Sequence, residues 1–138
     1  MTILAADRET DRKEGTLLSI PIVAAEIIYK GAMVMYDADG YATAGQDTTA
    51  CIFAGVAFEK IDNSAGASGA LSVRVYRPGL FKFACSNMAQ TRVGDMMYVG
   101  DDQTFYYSTQ STNYVKCGKL AYFESSTAGW IDITSGLA

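Results

Sequence analysis

The side chains of this chain that could do chemistry are its carboxylates, three cysteines and one loop of small residues. Histidine is absent from all 138 positions. Without imidazole, the Ser-His-Asp and Cys-His nucleophile systems and the usual zinc and iron ligand sets are not available. Carboxylate or lysine chemistry remains open, so catalysis is disfavoured rather than excluded. Glu26, Glu59 and Glu124 are single carboxylates on different segments. Their spacing marks no acid–base pair, and they read as surface groups. Asp37-Ala38-Asp39-Gly40 resembles the start of a calcium loop but lacks the third acidic position and the downstream glutamate. A plain turn is the expectation there, and Asp101-Asp102 reads the same way. Gly66-Ala67-Ser68-Gly69 lacks the Gly-Lys-Ser/Thr that holds phosphates, and no helical pattern follows it. Cys51, Cys85 and Cys117 are odd in number and far apart, with no CxxC, so they read as free, buried or half-buried thiols. No catalytic, cofactor-binding or metal-binding residue is expected.

The aromatic residues say more than the charges. Nine tyrosines, six phenylalanines and one tryptophan are more than a small core needs, and several fall where alternation points away from it. If Ile131 and Ile133 face inward, Trp130 faces outward with Asp132. If Val73 and Val75 face inward, Tyr76 shares the outer face with Arg74, and Tyr106-Tyr107 places one ring on each face. Outward Trp, Tyr and Arg are the types enriched where proteins meet.

Composition bounds the class. A length of 138 residues, 49% hydrophobic and 19% charged with a net charge of −4, predicts one globular domain. There is no basic stripe for nucleic acid and no run of about 20 apolar residues for a membrane. The start becomes charged too soon for a signal peptide, so synthesis in the cytoplasm is expected.

The elements that would position these residues are short strands. Residues 1–15 read as a solvated arm, with seven charges in the eight positions from Asp7 to Glu14 and Ile3 and Leu4 as its apolar anchors. Leu17–Pro21 reads as a strand that Pro21 ends or places at an edge. The stretch 22–28 is compatible with a helical turn or an extended connection. Gly31–Tyr36 reads as a wholly apolar strand closed by the Asp37–Gly40 turn. Residues 54–83 read as an antiparallel meander in which Leu71–Arg77 alternates and the Pro78-Gly79 turn starts another strand. One helical turn is allowed over 86–92. Further strands are expected over 94–99, 104–107, 114–123 and 130–133.

A shift of 63 residues places Gly31 on Gly94, Met33 on Met96, Asp39 on Asp102, Gly55 on Gly118 and Leu17-Leu18 on Leu80-Phe81. The glycines coincide at strand starts and turns, where backbone geometry calls for them. The expected fold is therefore all-β with minor helical turns. It is a compact barrel or sandwich of two pseudo-repeated strand-turn-strand modules, about 16–78 and 79–138, related by a pseudo-twofold and completing one core together.

Several segments together resemble a known family. They are Leu4-Ala5-Ala6-Asp7-Arg8, Leu17-Leu18-Ser19-Ile20-Pro21, Tyr29-Lys30-Gly31-Ala32-Met33-Val34 and Asp62-Asn63-Ser64-Ala65-Gly66-Ala67. Val73-Arg74-Val75, Val93-Gly94, Tyr98-Val99 and Asp101-Asp102 continue the pattern over nearly the whole chain. It is similar to small proteins from the head gene clusters of tailed phages and prophages. The resemblance implies a capsid decoration, or cement, protein: a homotrimer on the outside of an expanded head, with an N-terminal arm that adds to a sheet of the major capsid protein. The candidate partner-binding residues are Ile3, Leu4, Arg8 and Arg12 in the arm and Arg74, Tyr76 and Trp130 on the body. Other phage parts (head fibre, connector or tail) and a small ligand-binding β-barrel are the competing expectations.

Overall fold

A computed structural model of the chain describes all residues except 1, 2, 4, 11–14 and 138. It is mostly β-strand in two five-stranded sheets, one of them curled into a half-barrel. The first sheet contains β1 (Leu17–Pro21), β3 (Met33–Tyr36), β4 (Ala42–Ala44), β5 (Ile52–Ala57) and β7 (Ser72–Tyr76), in the order β1-β7-β5-β3-β4. The second contains β8 (Leu80–Ala84), β9 (Met96–Val99), β10 (Phe105–Tyr106), β11 (Lys116–Ser125) and β12 (Ala128–Asp132), in the order β10-β9-β11-β12-β8. A small pair joins β2 (Glu26–Ile28) to β6 (Ile61–Asn63), and α1 (Ile133–Gly136) is capped by the Asp132 carboxylate accepting from Thr134 N–H. The stretch 22–28 is extended at Ile22 and over Glu26–Ile28 with a turn at 24–25 between them, and a 3-10 turn over Gln90–Arg92 is the helical turn allowed after Phe83.

The two sheets have the same strand order once β1 is matched to β8, β7 to β12, β5 to β11, β3 to β9 and β4 to β10. β1 and β8 begin at 17 and 80, and β3 and β9 at 33 and 96. Each sheet also has a matching isolated bridge: Ile22 pairs in parallel with Ala42, and Ala84 with Thr104. Gly55 and Gly118 hold the same irregular place, with φ of +147° and +142° beside shifts of register. A Cβ at Gly55 would overlap the Tyr76 carbonyl oxygen, and one at Gly118 the Asp132 carbonyl oxygen.

Two expectations are corrected. The Pro78-Gly79 turn does not continue a meander, because β7 stays in the first sheet while β8 begins the second. The apolar residues form two clusters rather than one. Ile20, Ile22, Ile28, Val34, Val73 and Val75 lie in a cluster between the first sheet and the β2–β6 pair. The second gathers Met97, Phe105, Leu120 and Ile131 with Met33, Met35, Phe53 and Val56 from the outer face of the first sheet. β3 and β5 are therefore covered on both faces, which explains why Met33–Tyr36 reads as continuously apolar.

Contacts between the two sheets repeat only in part. Met33 N–H donates to the Asp102 carbonyl at 2.8 Å, and Gln46 bridges Asp101. The Asp47 carboxylate accepts from Thr112 and Asn113 N–H, each at 2.9 Å, and Asn113 Nδ2 returns a bond to the Asp47 carbonyl. A twofold would also place Asp39 against Met96, and no such bond is present among the described residues. Elsewhere corresponding segments do face each other, since 51–53 and 114–116 line one groove.

Replacing either Gly55 or Gly118 by alanine forces both a positive φ and an overlap with backbone. Each substitution is expected to cost about 2 kcal/mol or more of unfolding free energy, read from urea midpoints. A loss below about 0.5 kcal/mol at either site would contradict the geometry.

Candidate functional site

β7 and β12 carry the outward groups, and they sit at matching places in the two sheets. On β7, Val73 and Val75 are fully buried, so alternation sends Arg74 and Tyr76 to the other face. Arg74 makes a two-point pair with Glu59, Nε to Oε2 at 2.7 Å and Nη2 to Oε1 at 3.2 Å, and lies 4.8 Å over the Phe58 ring. This planar fork is matched to a carboxylate and a ring at once. Its hydrogen bond holds the Glu59 carboxyl below the usual carboxylate range. Tyr76 is half-buried, edge-on to Phe58 at 5.3 Å and tilted against Phe81 at 5.6 Å. It therefore helps seal the junction between the sheets rather than standing free.

On β12, Ile131 is fully buried and Trp130 lies outward, directly opposite Lys82 on β8 and Tyr122 on β11. Trp130 Nε1 donates to Glu124 at 3.4 Å, and Lys82 pairs with the same carboxylate. Hydrogen bonds from Lys82 and then Trp130 hold the Glu124 carboxyl low. Tyr122 and Leu80, both largely exposed, extend this face.

The sequence-predicted residues thus fall into three groups. Arg74 and Tyr76 share one face, and Trp130 stands on the corresponding strand of the other sheet. In the arm, Ile3 and Arg8 are exposed, while Leu4 and Arg12 lie outside the described residues. Glu59 and Glu124, expected to be merely solvated, are the carboxylates that fix Arg74 and Trp130. The signal was available in register only: each lies past the buried run of its strand, beside the cation it meets. Glu26 likewise accepts from Thr43 Oγ1 at 2.8 Å. Tyr106 and Tyr107 do part company: Tyr106 lies over Gly100, and Tyr107 packs on the core beneath Arg92, 3.6 Å from its ring centre.

The grooves are shallow. One runs along Tyr29, Lys30, Asp102 and Gln103 and holds a single carboxylate; a neighbour beside Lys82, Phe83 and Thr127 holds none. Among the described residues, no three Cys, Asp or Glu side chains gather to hold a metal ion, and no helix is long and apolar enough to cross a membrane. The three cysteines are free. No family model, curated protein or solved structure matches the chain.

Two outcomes follow from the titrating groups. Burial pushes the Cys117 thiol up to about 12 and raises Cys85 and Cys51 as well. Thiolate is the reactive form, so at neutral pH the native protein should let a thiol reagent reach Cys51 slowly and Cys117 only on unfolding. Fast labelling of Cys117 in the native state would contradict this.

The Asp102 carboxyl is raised, first by burial and then by the charges of Asp101 and Glu26. A folded-state pKa above the unfolded one opposes folding at neutral pH, and the penalty is relieved as pH falls through the folded value. Asp102→Asn should therefore raise the melting temperature at pH 7, with the gain vanishing near about pH 3. A lower or pH-independent melting difference would contradict this assignment.

Proposed function

We propose that this chain is a structural protein of a tailed-phage head, a decoration or cement protein. It binds the outside of the expanded capsid as a homotrimer and uses its N-terminal arm on the major capsid protein. We further infer that its two sheets are duplicated modules of one compact β body, and that it is not an enzyme.

The observation that supports this reading most is the placement of its aromatic and charged groups. Trp130 and Arg74 lie on outward sheet faces, each held by a carboxylate, and the exposed Tyr122 stands opposite Trp130. A flat, pre-organised face with aromatic anchors suits a broad protein partner. The arm suits the same role. Ile3 and residues 5–10 are exposed and outside any strand, and they lead towards β1, an edge strand of the first sheet. An extended segment of this kind can order by adding to the edge of another sheet.

The mechanism is thermodynamic. A ligand that binds only the assembled, expanded lattice stabilises it by mass action. A trimer presenting three arms gains effective concentration once one arm is seated. Modest interfaces repeated over the shell would then sum to a large resistance against internal pressure.

Removal of residues 1–14 should leave the β body folded, with unchanged melting, and weaken binding to purified expanded heads by at least about a hundredfold. Equal occupancy of heads by the truncated and full-length chains would contradict the role of the arm. Trp130→Ala in the intact chain separates the body from the arm: it should reduce head occupancy while leaving the fold intact.

A further inference from the structure

We propose that the open edge of β1 receives an extended, uncharged strand from another protein, paired to the backbone of Leu17 and Ser19. This inference stands on the hydrogen bonding of one strand and not on the head reading. There the arm would donate a strand to a partner, whereas here the body takes one in.

The direction of each backbone group on β1 follows from its register with β7. Ile22 N–H donates to the Leu71 carbonyl at 2.9 Å, and Arg77 N–H to the Thr16 carbonyl at 3.1 Å. Both pairs lie on the register that sets Leu17 opposite Tyr76 and Ile20 opposite Val73. In an antiparallel ladder, bonded pairs alternate with unbonded ones. Leu18 and Ile20 therefore turn their backbone groups to β7, and Leu17, Ser19 and Pro21 turn theirs to the open edge. Pro21 has no N–H, so the edge offers the N–H and C=O of Leu17 and Ser19 and then only a carbonyl. Among the described residues, no backbone group outside the sheet bonds to them. Residues 5–10 of the arm do not fill this edge, since they are exposed and outside any strand.

The other edges of the two five-stranded sheets are guarded. β4 and β10 are three and two residues long, and the bridges Ile22–Ala42 and Ala84–Thr104 lie at them. The sharper contrast is β8, which holds in the second sheet the place of β1 in the first. Ile133 N–H bonds to the Gly79 carbonyl and Cys85 N–H to the Thr127 carbonyl, so Leu80, Lys82 and Ala84 face the edge. Ala84 N–H is taken by the Gln103 carbonyl at 3.1 Å. Lys82, paired with Glu124, sets a charge in the middle of the strand, which is a common protection against an incoming chain. The same place on β1 is Ser19, and the run from Thr16 to Ile22 carries no charge. An edge left unguarded where its counterpart is guarded is a seat for a further strand.

The seat also selects its occupant. Residues placed opposite Leu17 and Ser19 would share the outer face, where Arg74, opposite Ser19, already has Glu59 as its counter-charge. A small uncharged side chain fits there. The residue opposite Leu18 would point into the curl, beside Leu18, which packs on the cluster holding Ile20 and Val75. An apolar side chain fits there. The occupant is thus a short extended segment that alternates small polar with β-branched apolar residues.

The probe is the peptide acetyl-Thr-Val-Thr-Val-Thr-amide, added to the full chain and followed by amide hydrogen exchange in NMR spectra. Saturating peptide should slow exchange at Leu17 and Ser19 at least about tenfold and leave Leu80 and Lys82 unchanged. The same peptide N-methylated on its second and third threonines, which removes the donors that would face β1, should not bind. Ser19→Lys, which copies the guard of β8, should weaken binding at least about tenfold, as should Ser19→Pro, which removes an outward donor. Circular dichroism checks folding, and Ser19→Lys alters only an exposed side chain should the proline variant not fold. No binding at millimolar peptide, equal binding of the methylated peptide, or equal binding to Ser19→Lys would overturn the proposal. So would protection of Leu80 and Lys82 as strong as that of Leu17 and Ser19. A dimer in light scattering, with Leu17 and Ser19 protected before any peptide is added, would assign the edge to a second copy and overturn it too. None of these outcomes touches the binding of heads, so this proposal and the head reading fail separately.

Discussion

The outer face of β3 and β5 cannot stand in water. Met33, Met35, Phe53 and Val56 are nearly or completely buried, on strands whose inner face is already occupied by Val34, Ala54 and Ala57. Burying four such side chains is worth roughly 6–12 kcal/mol before entropy is charged, comparable to the whole stability of a domain this size. Only the second sheet can supply the cover. Its attachment fixes the approach of the 101–102 turn, the anchoring of the 112–113 loop on Asp47, and the smallness of Gly45. The outward faces of β7 and β12 are held in place as a consequence.

That constraint also explains an asymmetry between sheets that share one strand order. The first sheet is sheltered on both sides at its centre. The second is sheltered within, and its outer face carries lysines, a methionine and tyrosines.

Much of the local structure was legible in the sequence. The alternation of Leu71–Arg77, the edge position implied by Pro21, the Asp37–Gly40 turn and the free thiols all follow from short-range rules. The spacing of 63 residues located corresponding strands because Gly31, Gly55, Gly94 and Gly118 mark backbone conformations that other residues adopt with strain. Long-range choices were not legible. Whether Pro78-Gly79 makes a hairpin or a crossing depends on which sheet edge receives β8, and nothing within a few residues records that. The outward directions of Arg74 and Trp130 could be derived, but their carboxylate partners could not. Glu59 and Glu124 acquire their roles only through register between strands. Tyr76 was placed on the correct face, yet its burial depends on Phe81 arriving from the other sheet.

In the head role proposed above, the chain would be a repeated part of a shell, acting through its faces and its arm. Its most direct test is the number of copies in purified particles, measured by quantitative mass spectrometry against the major capsid protein. The account predicts copies comparable in number to the coat subunits on expanded heads and none on unexpanded ones. A handful of copies per particle, or equal amounts on both kinds of head, would contradict it.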